Sequence, residues 1–289
     1  MVFVRTSTIV HSRMVQLRVL PSRLGLRATI FSCAFAITFV PMILGPGGVA
    51  SAHSSTARTQ SLALASAQPR AVASEQRVIG YSVKGRPITA RRYGPTEATR
   101  VGVFIGEIHG TERAGIPIVK QLARLGNPEG AAMWIIRTVN PDGHAAGLRK
   151  NADGVDLNRN SPHLWKSTAR APDYYPGPSA VSEPETRAYT DFLNVVHPDV
   201  VLIYHQAGNG VDSYQAQDPS LVAGLAKRMR LQPKSFDCDG ECTGTLTGWF
   251  NSTHPGAAIT IELPAATTSQ QVRRWARAAR WSITAANNR

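Results

Sequence analysis

The sequence predicts one α/β domain, a three-layer α/β/α sandwich on a mixed, mostly parallel sheet. Compact, largely apolar runs at 101–105, 133–139, 200–204 and 259–263 have the composition of strands buried on both faces. Segments with helical spacing separate them, the alternation expected of an α/β fold. A length of 289 residues with 43% hydrophobic content suffices for one sizeable core, which excludes the disordered and fibrous classes.

Residues 1–52 hold Arg5, Arg13, Arg18, Arg23 and Arg27 and no acidic residue. An apolar run over 28–44 follows, then a Gly/Pro break at 45–48 and the small-residue site Ala50-Ser51-Ala52. The pattern reads as a secretory signal peptide, 1–52, so the mature protein is expected to be secreted or extracytoplasmic. Pro41 interrupts the apolar run, which is at the short limit for a bilayer span, and no stable membrane insertion is expected after cleavage. Residues 53–75 are rich in Ser, Ala, Thr and Gln without periodicity and read as a flexible linker to a catalytic domain over 76–289.

Within that domain 78–83 and 87–93 read as short strands around the turn Lys84-Gly85-Arg86. Strand 101–105, helix 114–125 and strand 133–139 form a strand–helix–strand unit, the helix marked by Ile116, Ile118, Val119, Leu122 and Leu125. Ser182 and Glu185 are placed to form a capping box, with Pro184 in the first turn, ahead of a helix running to 196. Strand 200–204, helix 221–229, strand 259–263 and helix 270–283 complete the order. On the last helix Val272, Trp275, Ala279 and Ile283 face one way and Arg273, Arg277 and Arg280 the other. That basic face reads as solvated, and no nucleic-acid partner is expected.

Losing the leader's five arginines lowers the formal charge from +13 to +8. A basic surface suits polyanionic surroundings such as cell-wall polymers, and equally keeps an exported protein soluble. Cys33 leaves with the leader. Cys238 and Cys242 remain, and in an oxidising compartment a bridge between them is expected. Closing so short a loop contributes only about 2 kcal/mol.

Open α/β sheets place their sites beyond the carboxyl ends of strands. After 101–105 come His109 and Glu112, after 200–204 comes His205, and Glu262 sits within the last strand. Two imidazoles and a carboxylate suit one zinc ion with an open position. Hydrolysis also needs a base for the attacking water, and Glu262, a carboxylate in an otherwise apolar strand, is placed by strand order to serve. The polar segment 140–159 hangs over the same edge and supplies Arg149 and Arg159, cations suited to a carboxylate and to an oxyanion.

These residues resemble the zinc carboxypeptidase family. The likeness runs through Ile79-Gly80-Tyr81-Ser82, Gly85-Arg86-Pro87-Ile88, His109-Gly110-Thr111-Glu112, Asn140-Pro141-Asp142-Gly143, Arg149-Lys150-Asn151, 154–160, 182–186, His205 and Ile261-Glu262. It implies one zinc ion on His109, Glu112 and His205, Glu262 as general base, and Arg149 at the scissile carbonyl. It further implies that Asn158 and Arg159 grip the free carboxylate of the peptide substrate. Asp156 matches a position that orients the His109 ring, with turn formation as its alternative role.

Gly240 falls where digestive members carry a mobile tyrosine, Thr247 where the terminal side chain is read, and Ser161 replaces an aromatic. Trp249 is open between a cleft-lining and a core role. The chain looks more similar to the compact bacterial murein peptide amidase branch, which implies cleavage of a γ-D-glutamyl to diaminopimelate bond in cell-wall stem peptides. The alternatives are an N-acyl amino acid deacylase resembling the succinylglutamate desuccinylase and aspartoacylase branch, and a non-catalytic cell-wall-binding protein.

Overall fold

Among the described residues the chain runs β1 (Glu75–Tyr81), β2 (Pro87–Tyr93), β3 (Arg100–Ile105), α1 (Gly115–Leu125), β4 (Ala131–Ile136) and α2 (Pro141–Ala146). It continues with α3 (Pro184–Val196), β5 (Val200–Gln206), β6 (Gly210–Asp212), α4 (Pro219–Met229), β7 (Gln232–Lys234), α5 (Leu246–Thr253), β8 (Ala257–Leu263) and α6 (Ser269–Ala285). Short 3-10 turns lie at Leu157–Arg159, Pro172–Tyr174 and Cys238–Gly240. This computed structural model describes residues 74–168, 171–240 and 242–287. The expected signal peptide, and the expected linker up to residue 73, lie outside them.

The strands form one eight-stranded sheet in the order β1-β2-β4-β3-β5-β8-β6-β7. Its centre, β4-β3-β5-β8, is parallel, and antiparallel pairs flank it at β2-β4, β1-β2 and β6-β8. The predicted mixed, mostly parallel sheet is thus present. Parallel central strands lose both faces to helices, which is why their sequences are apolar throughout.

Alternation along the strands sorts the two faces. Phe104, Leu202, Tyr204, Ile259 and Ile261 pack under α1, α4 and α6, where Trp275 is fully buried and donates from Nε1 to the Met229 carbonyl at 2.9 Å. Val103, Ile105, Val201, Ile203 and Ala258 point the other way, against Tyr189 and Phe192 of α3 and Phe250 of α5. His205, Thr260 and Glu262 continue this second set by the two-residue period of a strand. The reactive groups therefore rise from the carboxyl ends of adjacent strands on the α3/α5 side.

Element bounds differ from expectation where hydrogen bonding overrides composition. β1 takes in Glu75, the last residue of the expected linker, because it pairs with Arg92 of β2. β4 ends at Ile136 rather than 139, since its parallel partner β3 ends at Ile105; beyond it Val139 donates singly to the Glu107 carbonyl. β5 runs through His205 to Gln206, so His205 belongs to the strand instead of following it.

The expected capping box at Ser182 and Glu185 is absent. The N-cap of α3 is Glu183, with no side-chain cap. Ser182 Oγ is drawn instead to Asn160 and Glu183, while Glu185 accepts from the Val83 backbone and from Asn151. A capping box does form at α6, between Thr268 and Gln271.

Candidate metal centre and active site

The loop after β3 brings His109 and Glu112 back over the strand ends, with the Glu112 N–H donating to the His109 carbonyl at 2.9 Å. Gly110 lies so close to the Gly143 backbone at the start of α2 that a side chain there would collide with it. β5 carries His205 to the same point, in register with Glu262 on β8. One ligand atom from each of His109, Glu112 and His205 falls within 4.8 Å of the others, and all three residues are buried.

The donor set fits a divalent metal on its own geometry. His109 Nε2 is engaged at 2.9 Å with Asp156 Oδ1, and a carboxylate accepts, so Nε2 carries the proton and Nδ1 the lone pair. That Nδ1 is buried without a hydrogen-bond partner and faces Glu112 Oε1 at 3.0 Å. A lone pair turned toward a carboxylate oxygen calls for a cation between them. His205 Nδ1 lies 2.9 Å from the other oxygen, Glu112 Oε2, completing two nitrogens and a carboxylate around one point. Such a set suits zinc with a coordination position left open.

Asp156 organises the surroundings from full burial. Besides His109 it accepts from the Asn158 N–H at 2.9 Å and from Arg149 Nε and NH2 at 3.2 and 2.9 Å. Turn formation and orientation of the histidine, set out as alternatives for Asp156, are both present. Burial raises its pKa, but the His109, Arg149 and Arg159 charges outweigh that and hold it far below the usual carboxylate range. Burial likewise pushes Glu112 up and the two imidazoles pull it well below its ordinary value. His109 is raised despite its burial, by Asp156 and then Glu112.

A cleft of about 300 Å³ opens above these groups. Arg149, Asn158, Arg159 and Glu262 all line it, as does Thr247, so every residue with an expected catalytic or substrate-binding role meets there. Arg149 NH1 rests on Glu112 Oε1 at 2.9 Å. Arg159 NH1 donates to the Asn158 carbonyl, and NH2 lies 3.5 and 3.9 Å from the sulfurs of Cys238 and Cys242, which form the expected disulfide. Asn158 Oδ1 accepts from the Leu246 N–H, which fixes the amide. Glu262 Oε2 accepts from the Gly208 N–H at 3.1 Å. Thr247 Oγ1 shares a 2.7 Å hydrogen bond with Thr260 Oγ1. Ser161 is buried on the Tyr189 hydroxyl at 2.8 Å, and Trp249 packs in the core on the α3/α5 side.

Tyr174 and Asp212 are among the cleft residues that escaped sequence reasoning. The Tyr174 ring stands 5.2 and 5.3 Å from the guanidinium carbons of Arg149 and Arg159, within the range of a cation–π contact with both. Asp212, at the end of β6, is 9% exposed. Burial pushes its carboxyl up to about 6, against the opposing pull of the Tyr214 and Phe236 N–H groups, and the Glu262 charge adds to the rise. Neither lies in a run with a period that would have flagged it.

Comparison with known proteins matches residues 62–222 to the family described as zinc carboxypeptidase. Murein peptide amidase A of Escherichia coli K12 is 32% identical over 123 residues, covering 38% of this chain and 51% of that protein. The chain thus matches about half the length of that relative. Murein peptide amidase A of Vibrio campbellii is 30% identical over 199 residues, covering 64% of this chain and 77% of the relative. Among solved structures, murein-tripeptide amidase of Escherichia coli O157 shares the fold with a TM-score of 0.59 at 24% identity, over 72% of this chain and 91% of that one.

Proposed function

We propose that this chain, which belongs to the zinc carboxypeptidase family, is a secreted zinc-dependent hydrolase that cuts an amide bond beside a residue with a free carboxylate. Its substrates on this reading are cell-wall stem peptides, cut between γ-D-glutamate and diaminopimelate. The observation that carries the reading is one cleft lined by His109, Glu112 and His205 on one side and by Glu262, Arg149 and Arg159 around them. The likeness to murein peptide amidases supports the choice of substrate class.

His109, Glu112 and His205 would hold the zinc ion, which would supply Lewis acidity toward the scissile carbonyl and toward a water molecule. Glu262 is tied through Oε2 to the Gly208 N–H, and Oε1 is the oxygen that takes a proton from the attacking water and delivers it to the leaving amine. NH1 of Arg149 is the nitrogen not held by Asp156, so it is the one that can turn to the carbonyl oxygen as negative charge develops there. Asn158 and Arg159 receive the free carboxylate, one with an amide fixed by the Leu246 N–H and the other with a planar fork of donors.

The test is incubation of purified muropeptides with the zinc-loaded protein, read by mass spectrometry. Release at the γ-D-glutamyl to diaminopimelate bond is expected. Hydrolysis of N-acyl amino acids with every muropeptide left intact would overturn the reading. Export rests on the Arg-rich start, the apolar run and Ala50-Ser51-Ala52, and the paired Cys238 and Cys242 suit an oxidising compartment. Amino-terminal sequencing of protein from culture fluid should begin at His53, and full-length protein confined to the cytoplasm would refute it.

A further inference from the structure

The layer of α1, α4 and α6 covers the face of the sheet opposite to the one from which the reactive groups rise. α6 packs against both of the other helices. Its buried stripe, which includes Trp275, Ala279 and Ile283, leaves Arg273 and Arg277 exposed on the outer side. Arg280 leans toward the end of α1, donating to the Gly126 and Asn127 carbonyls at 3.0 and 2.9 Å. On the other flank the guanidinium carbon of Arg228, on α4, stands 3.7 Å from the centre of the Trp281 ring of α6. Lys120 and Arg124 of α1, and Lys227 and the capping Arg230 of α4, extend the same outer surface and are exposed.

With Arg274 these make nine cations, and the three helices carry no acidic residue. Removing them from the 27 lysines and arginines that follow residue 52 leaves 18, one fewer than the 19 acidic residues. The whole positive excess of that part of the chain therefore sits on one layer. None of the nine makes an ion pair among the described residues. Like charges gathered in this way repel one another, a cost that a polyanion lying across them removes. Helices in contact lie about 8–10 Å apart, so the surface is roughly 20 Å wide.

Three observations choose among polyanions. Seven of the nine cations are arginines, whose planar forks grip phosphate oxygens two at a time. Leu125 is the one large apolar side chain exposed on these helices, which leaves little to insert into a lipid surface. All three helices pack along the sheet, and none projects to enter a nucleic-acid groove.

We propose that this layer docks on a linear phosphodiester polymer of the cell envelope and holds the enzyme there with its cleft, on the other side of the sheet, left open. The proposal rests on the reading of the chain as an exported hydrolase of wall peptides, and it adds a second site remote from the metal. Docking raises the local concentration of enzyme at polymeric substrate, so it speeds cleavage of intact wall and leaves cleavage of soluble peptides unchanged.

Poly(glycerol phosphate) is the probe, with binding followed by calorimetry. Affinity of the native protein should fall about tenfold or more between about 50 and 200 mM salt. The exposed positions Lys120→Gln, Lys227→Gln, Arg273→Gln and Arg277→Gln, combined, should weaken binding about tenfold or more at the lower salt and flatten that dependence. Arg77→Gln, Lys84→Gln, Arg91→Gln and Arg187→Gln remove the same charge elsewhere and should keep affinity within about threefold. Both proteins should cut soluble muropeptides as the native one does, and only the first should lose cleavage of intact wall that carries the polymer. Melting curves check folding. Should the first protein unfold, Arg273→Gln with Arg277→Gln alone carries the same expectation at about threefold or more.

Polymer binding that is absent from the native protein, survives the first set of changes or falls equally with the second overturns the proposal. So does tighter binding of the native protein to duplex DNA, or to phosphatidylglycerol vesicles, at the same salt. None of these results touches the cleft, whose hydrolysis of soluble muropeptides is read separately. Protein that binds the polymer and cuts no muropeptide keeps this docking site and loses the hydrolase reading.

Discussion

Replacing Asp156 by Asn probes the centre without altering its shape. Asp156 accepts four hydrogen bonds, from His109 Nε2, the Asn158 N–H and two nitrogens of Arg149. An Asn presents one oxygen and one NH2, so at least one N–H donor must then face another. If the oxygen keeps Arg149, the NH2 meets His109 Nε2, the proton moves to Nδ1, and the lone pair leaves the metal. Losing such an orienting carboxylate weakens metal affinity by about 10- to 100-fold. The Arg149 side chain is 27% exposed, so the stability loss in the metal-free protein is smaller than for a sealed pair, about 2 kcal/mol or roughly 4–8 °C in Tm. Competition against a chelating dye gives the zinc dissociation constant, and melts in EDTA give the metal-free stability. Zinc affinity within threefold of the native protein, alongside a normal metal-free melt, would refute the reasoning that Asp156 sets the His109 tautomer.

Glu262→Gln should retain zinc at full stoichiometry and lose about 10²- to 10⁴-fold in kcat, because it removes a proton acceptor and not a ligand; loss of metal in that variant would count against its role. Arg159→Ala should weaken binding of substrates with a free carboxylate by about 2–5 kcal/mol, read as a rise in KM, and an unchanged KM would place that carboxylate elsewhere. Asp212 also predicts a pH effect on stability. Its folded pKa, pushed by burial up to about 6, stands above the ordinary aspartate value, so the fold favours the protonated form and loses stability as pH rises from about 4 to 6. Asp212→Asn should therefore melt higher than the native metal-free protein at pH 7, by about 1–3 kcal/mol, and match it below pH 4; a lower melt at pH 7 would show the carboxylate to be stabilising.

His109, Glu112, His205 and Glu262 were legible because each sits at or near the carboxyl end of a strand with a strong apolar signature. Buried parallel strands advertise themselves, and their ends locate the site. Asp212 was not legible for the converse reason: β6 is three residues long, paired to β8 through only two register positions, and has no period to read. Tyr174 reaches the cleft from a 3-10 turn, where loop contacts alone set its place; the Tyr175 carbonyl, for example, accepts from the Asp156 N–H. The capping box expected at α3 failed because its two side chains had better partners far away in sequence, Asn160 for Ser182 and Asn151 for Glu185. The box at α6 is local and uncontested, and it formed.

β3, β5 and β8 are neighbours in the sheet, yet Glu112 and His205 stand 93 positions apart along the chain. No fragment that lacks the pairing of β3 with β5 can present the full set of donors, so metal capture must follow that long-range closure and cannot seed it. A cation bound there acts as a latch on a finished structure: it slows unfolding far more than it speeds folding. Excess zinc at about a thousand times its dissociation constant would add about 4 kcal/mol to the whole domain as a single cooperative unit. Occupancy of the site is then a report on the pairing of β3 with β5.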